Sequence, residues 1–168
     1  MKKKLLYLMS CWIIFIGLFM LAHSILSKII MYYQRMPAIE TAQAYQLISR
    51  YKQSVINFYQ ETGRCPTMKD KKQIIPKIEA YTYVKIVRFL ADQQNKICFI
   101  SVEMRDDTPS RDVKNQTLAI AYKTDQPQAN NWICYTSINS IYTIKECRGN
   151  SLPDSFLKAL AMYKRNMR

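Results

Sequence analysis

Residues 44–67 read AYQLISRYKQSVINFYQETGRCPT, and the spacing of the apolar residues in this stretch decides the fold. Ala44, Leu47, Ile48, Tyr51, Val55, Phe58 and Tyr59 recur at intervals of three and four, which places them on one face of an α-helix. Gln46, Arg50, Gln53, Asn57 and Gln60 fall on the opposite face. Gly63 is placed to end that helix, and Pro66 prevents it from resuming. A helix with so wide an apolar face needs a surface to cover it, so the partner must come from elsewhere in the chain.

Toward the N-terminus the same helix is expected to continue. Lys2, Lys3 and Lys4 open the chain, and the 23 residues from Leu5 to Ser27 contain no ionised side chain. As a helix that run measures about 34 Å, enough to cross a hydrocarbon core of about 30 Å. The lysine triplet should remain cytoplasmic, sending the rest of the chain outward. A cleaved signal peptide ending near Ala22-His23-Ser24 is the competing reading. The uncleaved anchor is favoured because the run is long and apolarity resumes at once as Ile29-Ile30-Met31-Tyr32-Tyr33. His23 near the outer end and Cys11 in mid-span read as tolerated residues of that anchor. Pro37 is expected to kink the helix where it leaves the membrane.

Toward the C-terminus a Lys-rich connection (residues 68–77) precedes a change of pattern. Residues 81–89, 97–104, 118–122 and 132–136 are rich in β-branched and aromatic residues, with polar turn-forming links between them. Consecutive strands with such links imply an antiparallel meander. The fold class is therefore α+β: a long N-terminal membrane-spanning helix packed on a four-stranded antiparallel sheet. Leu47, Tyr51, Val55, Phe58 and Tyr59 are the residues expected to meet the sheet. Asp154 to Tyr163 reads as a short helix, with Lys164, Arg165 and Arg168 beyond its end. The expected organisation is residues 1–4 cytoplasmic, 5–33 the transmembrane part of the helix, 34–153 the exported globular domain and 154–168 a basic C-terminal helix or tail.

Composition narrows the function. In 168 residues there are only 3 glycines, which excludes Gly-rich phosphate loops, and a single histidine, which disfavours His-based metal sites and acid–base catalysis. No serine or cysteine has a base partner in view and the carboxylates are scattered, so an enzyme is not expected, nor any cofactor or metal. Beyond the anchor lie Cys65, Cys98, Cys134 and Cys147, an even count that in an exported domain reads as two disulfides. Spacing leaves all three pairings open. The chain carries +13 overall, and the part after Lys28 holds 21 basic against 12 acidic residues. Lys69, Lys71 and Lys72, then Lys77, Lys85 and Arg88, then Lys164, Arg165 and Arg168 form basic groups that suit DNA, lipid headgroups or an acidic surface polymer. Such binding would be sequence-blind and salt-sensitive; a solvated basic face without a ligand is the plainer reading.

Two stretches carry a family resemblance. Tyr51–Thr67 (YKQSVINFYQETGRCPT) resembles the end of the spine helix of a type IV pilin of the Gram-negative kind, where an aromatic pair precedes a Gly-x-x-Pro-Thr stop. Trp132-Ile133-Cys134, followed by Tyr142 and Glu146-Cys147-Arg148, is similar to the pilin closing motif around a disulfide loop. Between them Tyr83-Val84, residues 97–104 and residues 116–122 fall where pilin strands belong, so the resemblance spans roughly residues 5–149. It implies a Cys134–Cys147 bridge enclosing 12 residues, worth about 3 kcal/mol by chain entropy, and leaves Cys65 to pair with Cys98.

The departures are as specific as the match. A processed pilin has a glycine before its cleavage point and a glutamate five residues after it; the corresponding positions here are near Leu8 and Ile13, and no acidic residue precedes Glu40. In pilins that glutamate pairs with a neighbouring subunit's N-terminal amine. Ile144 also stands where pilins commonly carry proline. The resemblance implies a structural subunit or assembly component of a type IV pilus serving adhesion, motility or DNA uptake, partnered by other pilins or assembly proteins through its N-terminal helix. The missing Gly and Glu favour an alternative: an uncleaved inner-membrane protein that binds or regulates pilins without polymerising.

Overall fold

The computed structural model describes residues 2–75, 82–125 and 132–166. The chain divides after Met36 into two compact units. Helix α1 (Lys2–Arg50) begins in the first and ends in the second, and helical structure runs through Pro37. A proline removes one hydrogen bond but keeps a helical φ, so it need not end the helix. A break in the helix comes at Tyr51, a single residue at φ −91°, ψ −4° between α1 and α2 (Lys52–Thr62). Its N–H bonds the carbonyl of Ile48 at 3.2 Å, a tighter turn than the α-helical pattern.

Gly63 ends α2 in the left-handed conformation, φ 68°, with its N–H on the Tyr59 carbonyl at 2.8 Å. Behind it the chain is locked by charge. Arg64 meets both oxygens of Asp70 at 2.9 and 2.8 Å, and Asp70 also accepts from the Thr67 N–H at 2.8 Å. The Arg64 guanidinium also lies 4.9 Å from the centre of the Phe58 ring. A one-turn 3₁₀ helix (Met68–Asp70) and the short α3 (Lys71–Ile74) follow.

The sheet is a meander of β1 (Val84–Asp92), β2 (Ile97–Met104), β3 (Thr117–Lys123) and β4 (Trp132–Thr136), antiparallel and in that order. The first strand begins and ends three residues later than the sequence pattern suggested. A register shift between Val84 and Ile86 sets its start, and a tight turn after Asp92, with Asn95 bonded back to the Asp92 carboxylate, carries it through Leu90 and Ala91. Expected strand residue Tyr81 lies outside the described residues.

One face of the sheet takes the helical stripe. Ala44, Leu47, Ile48 and Val55 are at most 1% exposed and share a core with Ile100, Val102, Leu118 and Ile120. Tyr51 meets Phe89 edge-on at 6.3 Å between ring centres, and Phe58 is buried in the same core. Tyr59 is half-buried, and Ile56, outside the expected stripe, is buried as well. The polar positions Gln46, Arg50, Gln53, Asn57 and Gln60 are exposed.

The second face is covered too, which sequence reading did not anticipate. Helix α4 (Asp154–Asn166) lays Phe156 and Ala159 on Leu90, Phe99, Ala119 and Ala121, with the Phe99 and Phe156 ring centres 5.4 Å apart. The result is a helix–sheet–helix sandwich. Each rim of the sheet is also met at one place. On β1 the Phe89 N–H points at the Met68 sulfur, 3.4 Å away. On β4 the Thr136 N–H donates to the Asn150 carbonyl and the Asn150 side-chain amide donates to the Cys134 carbonyl, each at 3.0 Å.

Three substitutions measure the two interfaces in a fragment spanning Pro37–Arg168. Leu47→Ala should lower unfolding free energy by about 3 kcal/mol and Phe156→Ala by about 3–5 kcal/mol, whereas exposed Gln53→Ala should cost under about 0.5 kcal/mol in urea titrations. The Asp70 carboxyl supplies a pH signature. The hydrogen bond from Arg64 and those from Thr67 hold it well below the usual carboxylate range against the opposing effect of burial. Its folded value lies below its unfolded value of about 3.9, so its contribution is complete above about pH 4 and is lost progressively as the medium becomes more acidic. Asp70→Asn should lower stability at pH 7 and flatten the fall seen in acid, as read by thermal melts across that range.

Candidate functional site

No group of three or more His, Cys, Asp or Glu side chains capable of holding a metal occurs among the described residues. The surfaces able to make contacts are the apolar part of α1, the loop closed by the second disulfide, and the basic groups.

Between Ile14 and Ser27 α1 carries no ionised side chain, and its large apolar residues point outward on every side. Trp12, Phe15, Leu18, Phe19 and Leu21 are each more than 60% exposed, and the helix contains a window of mean hydropathy 2.0, long and apolar enough to cross a membrane. Apolarity on every side suits a lipid environment or a bundle of like helices, because no face is set aside for water. The Ser27 hydroxyl donates to the Ser24 carbonyl at 2.9 Å, so that polar group is satisfied within the helix itself. Adding a Cβ at Gly17 would meet nothing within 4 Å. Leu8 and Ile13, the residues nearest the processing positions by the resemblance, lie within α1 and outside the residues matched below.

Glu40, the first acidic residue of the chain, is not a surface group. It is fully buried in the second unit, with Ser110 and Lys114 as its polar neighbours. Burial pushes its carboxyl above the usual range, and Ser110 and Lys114 draw it back only in part. It cannot serve as an exposed counter-charge for a neighbouring helix. Sequence reading noted Glu40 only as a landmark; nothing in its local pattern separates a buried glutamate from a solvated one.

The cysteines form two bridges, Cys65–Cys98 with Cα atoms 5.2 Å apart and Cys134–Cys147 at 4.6 Å. The first ties the end of α2 to β2. The second closes the loop after β4, which is held from inside by buried Ile138 and Thr143; the Thr143 hydroxyl bonds the Asn139 carbonyl at 2.9 Å. Asn139, Ser140 and Ile141 are displayed outward, with Ile141 67% exposed. Ile144 packs half-buried against the core.

Among the described residues the basic groups lie on different parts of the fold. Lys69 and Lys72 are exposed and Lys71 half-buried, beside the core that α2 shares with the sheet. Lys164 and Arg165 are exposed at the end of α4, which packs on the other face. Arg88 and Lys85 are drawn onto Glu103, Arg88 through a close hydrogen-bonded ion pair and Lys85 at 3.5 Å. Burial raises the Glu103 carboxyl, but the two cations outweigh it and hold it below the usual range. Lys77 and Arg168 lie outside the described residues.

The family model for pilin, the bacterial filament subunit, matches residues 40–148. Those residues run from the buried Glu40 through the helical stripe and the whole sheet to the close of the second disulfide loop. No curated protein matches the chain. The matched segment covers well over half of the sequence and carries the helix-on-sheet core with both bridges, so the chain belongs to the pilin family.

Proposed function

We propose that this pilin-family protein is a structural subunit or assembly component of a type IV pilus, held in the bacterial inner membrane by α1. The supporting observation is the pairing of a pilin domain with a helix segment apolar on all sides, which can leave lipid only for the company of similar helices. Lys2, Lys3 and Lys4 keep the N-terminus cytoplasmic and place the globular domain in the periplasm. Other pilins or assembly proteins are the partners, met along α1, and the disulfide loop with Ile141 faces outward. Adhesion, motility and DNA uptake are the roles such a pilus serves. The reading makes the protein a non-enzymatic component.

A second reading is favoured by specific residues. With Leu8 and Ile13 in the processing positions and Glu40 buried, the chain lacks both the peptidase signal and the exposed carboxylate of a polymerising pilin. It then stays full length in the membrane and contacts pilins without entering the fibre. The mass of the protein purified from its own membranes separates the two. We expect an intact N-terminus; a new terminus within residues 7–25 would establish processing and return the protein to the fibre. Cysteines introduced at Ile14 and Leu21 should cross-link to pilin helices in native membranes under either reading, and failure at every α1 position would remove the helix as the contact surface.

A further inference from the structure

Helix α4 buries one face and leaves the other in water. The buried side is Phe156, Ala159, Leu160 and Tyr163. On the outward side Lys158 and Arg165 lie two turns apart near the centre, with Leu157 and Met162 flanking them at 48% and 64% exposure. Among the described ion pairs none involves Lys158, Lys164 or Arg165, so this charge is available. Asp154 at the N-terminus is the helix's single acid.

We propose that the outward face of α4 docks on an anionic lipid surface. The chemistry favours lipid over nucleic acid. A phosphate backbone would engage Lys158 and Arg165 but leave Leu157 and Met162 in water, whereas the boundary between headgroups and acyl chains takes both kinds of side chain. A bilayer is also a surface the chain itself provides for, since α1 contains an apolar segment long enough to cross a membrane. The inference rests on the membrane-anchored reading of α1.

The test uses the full chain with Cys11→Ala and Met162→Cys, both disulfides intact, and an environment-sensitive fluorophore on the new thiol. It is reconstituted into vesicles of phosphatidylcholine alone and of phosphatidylcholine mixed with phosphatidylglycerol. Emission should shift to the blue in the anionic vesicles only, return in high salt, and fail to shift when Lys158→Glu and Arg165→Glu are added. Lys69→Glu with Lys72→Glu, on the other side of the sheet, should leave the shift intact. Equal emission in both vesicle types, or a shift indifferent to the α4 charges, overturns the proposal. A shift produced by duplex DNA on neutral vesicles, with none from phosphatidylglycerol, overturns it in favour of a nucleic-acid partner. Flotation separates the underlying premise: a chain that does not float with either vesicle type is not anchored, and both readings fall together.

Discussion

The burial of Leu47, Ile48 and Val55 against Ile100, Val102, Leu118 and Ile120 is the contact on which the rest depends. An amphipathic helix of this length gains most of its stability from the face it buries, and a four-stranded sheet needs its apolar face covered. Each side chain in that interface is worth roughly 1.5–3 kcal/mol on burial, so a handful of them rivals the net stability of a whole domain. The Cys65–Cys98 bridge and the Arg64–Asp70 lock both act at the point where the helix ends and the chain turns toward the sheet. Their role is to hold the register of an interface whose driving force is apolar.

Much of this was legible in the sequence because the helical stripe is strict: its apolar positions recur without a break from Ala44 to Tyr59, and the polar positions between them are the exposed ones. Strand order was legible for a similar reason, since short polar links leave a meander as the simplest path. The role of α4 was missed, although a signal was present. Residues 97–102 (ICFISV) and 118–122 (LAIAY) are nearly continuous in apolar or small residues, and strands covered on one face alternate. The spacing of Phe156, Ala159, Leu160 and Tyr163 supplies the matching stripe. Glu40 and the Glu103 cluster were beyond sequence reading, because both depend on which residues the tertiary fold brings near a carboxylate.

Charge is distributed with more order than the net value suggests. On the sheet Glu103 holds Arg88 and Lys85, while Lys164 and Arg165 at the close of α4 take part in none of the described ion pairs. An unmatched cation keeps its full attraction for an anion arriving from outside, whereas a matched one must first give up its partner.

The partly occupied rims of the sheet govern how copies of this domain can coexist. An open strand edge presents unpaired N–H and C=O groups to any other edge, and proteins concentrated at a membrane surface would find one another that way. Here Met68 sits against one border strand, and the Asn150 clasp closes part of the other. Each border strand is thereby blocked at part of its length for pairing with another edge. At those two points a neighbouring copy would meet side chains and a closed loop in place of a free strand border, which turns association toward side-chain surfaces.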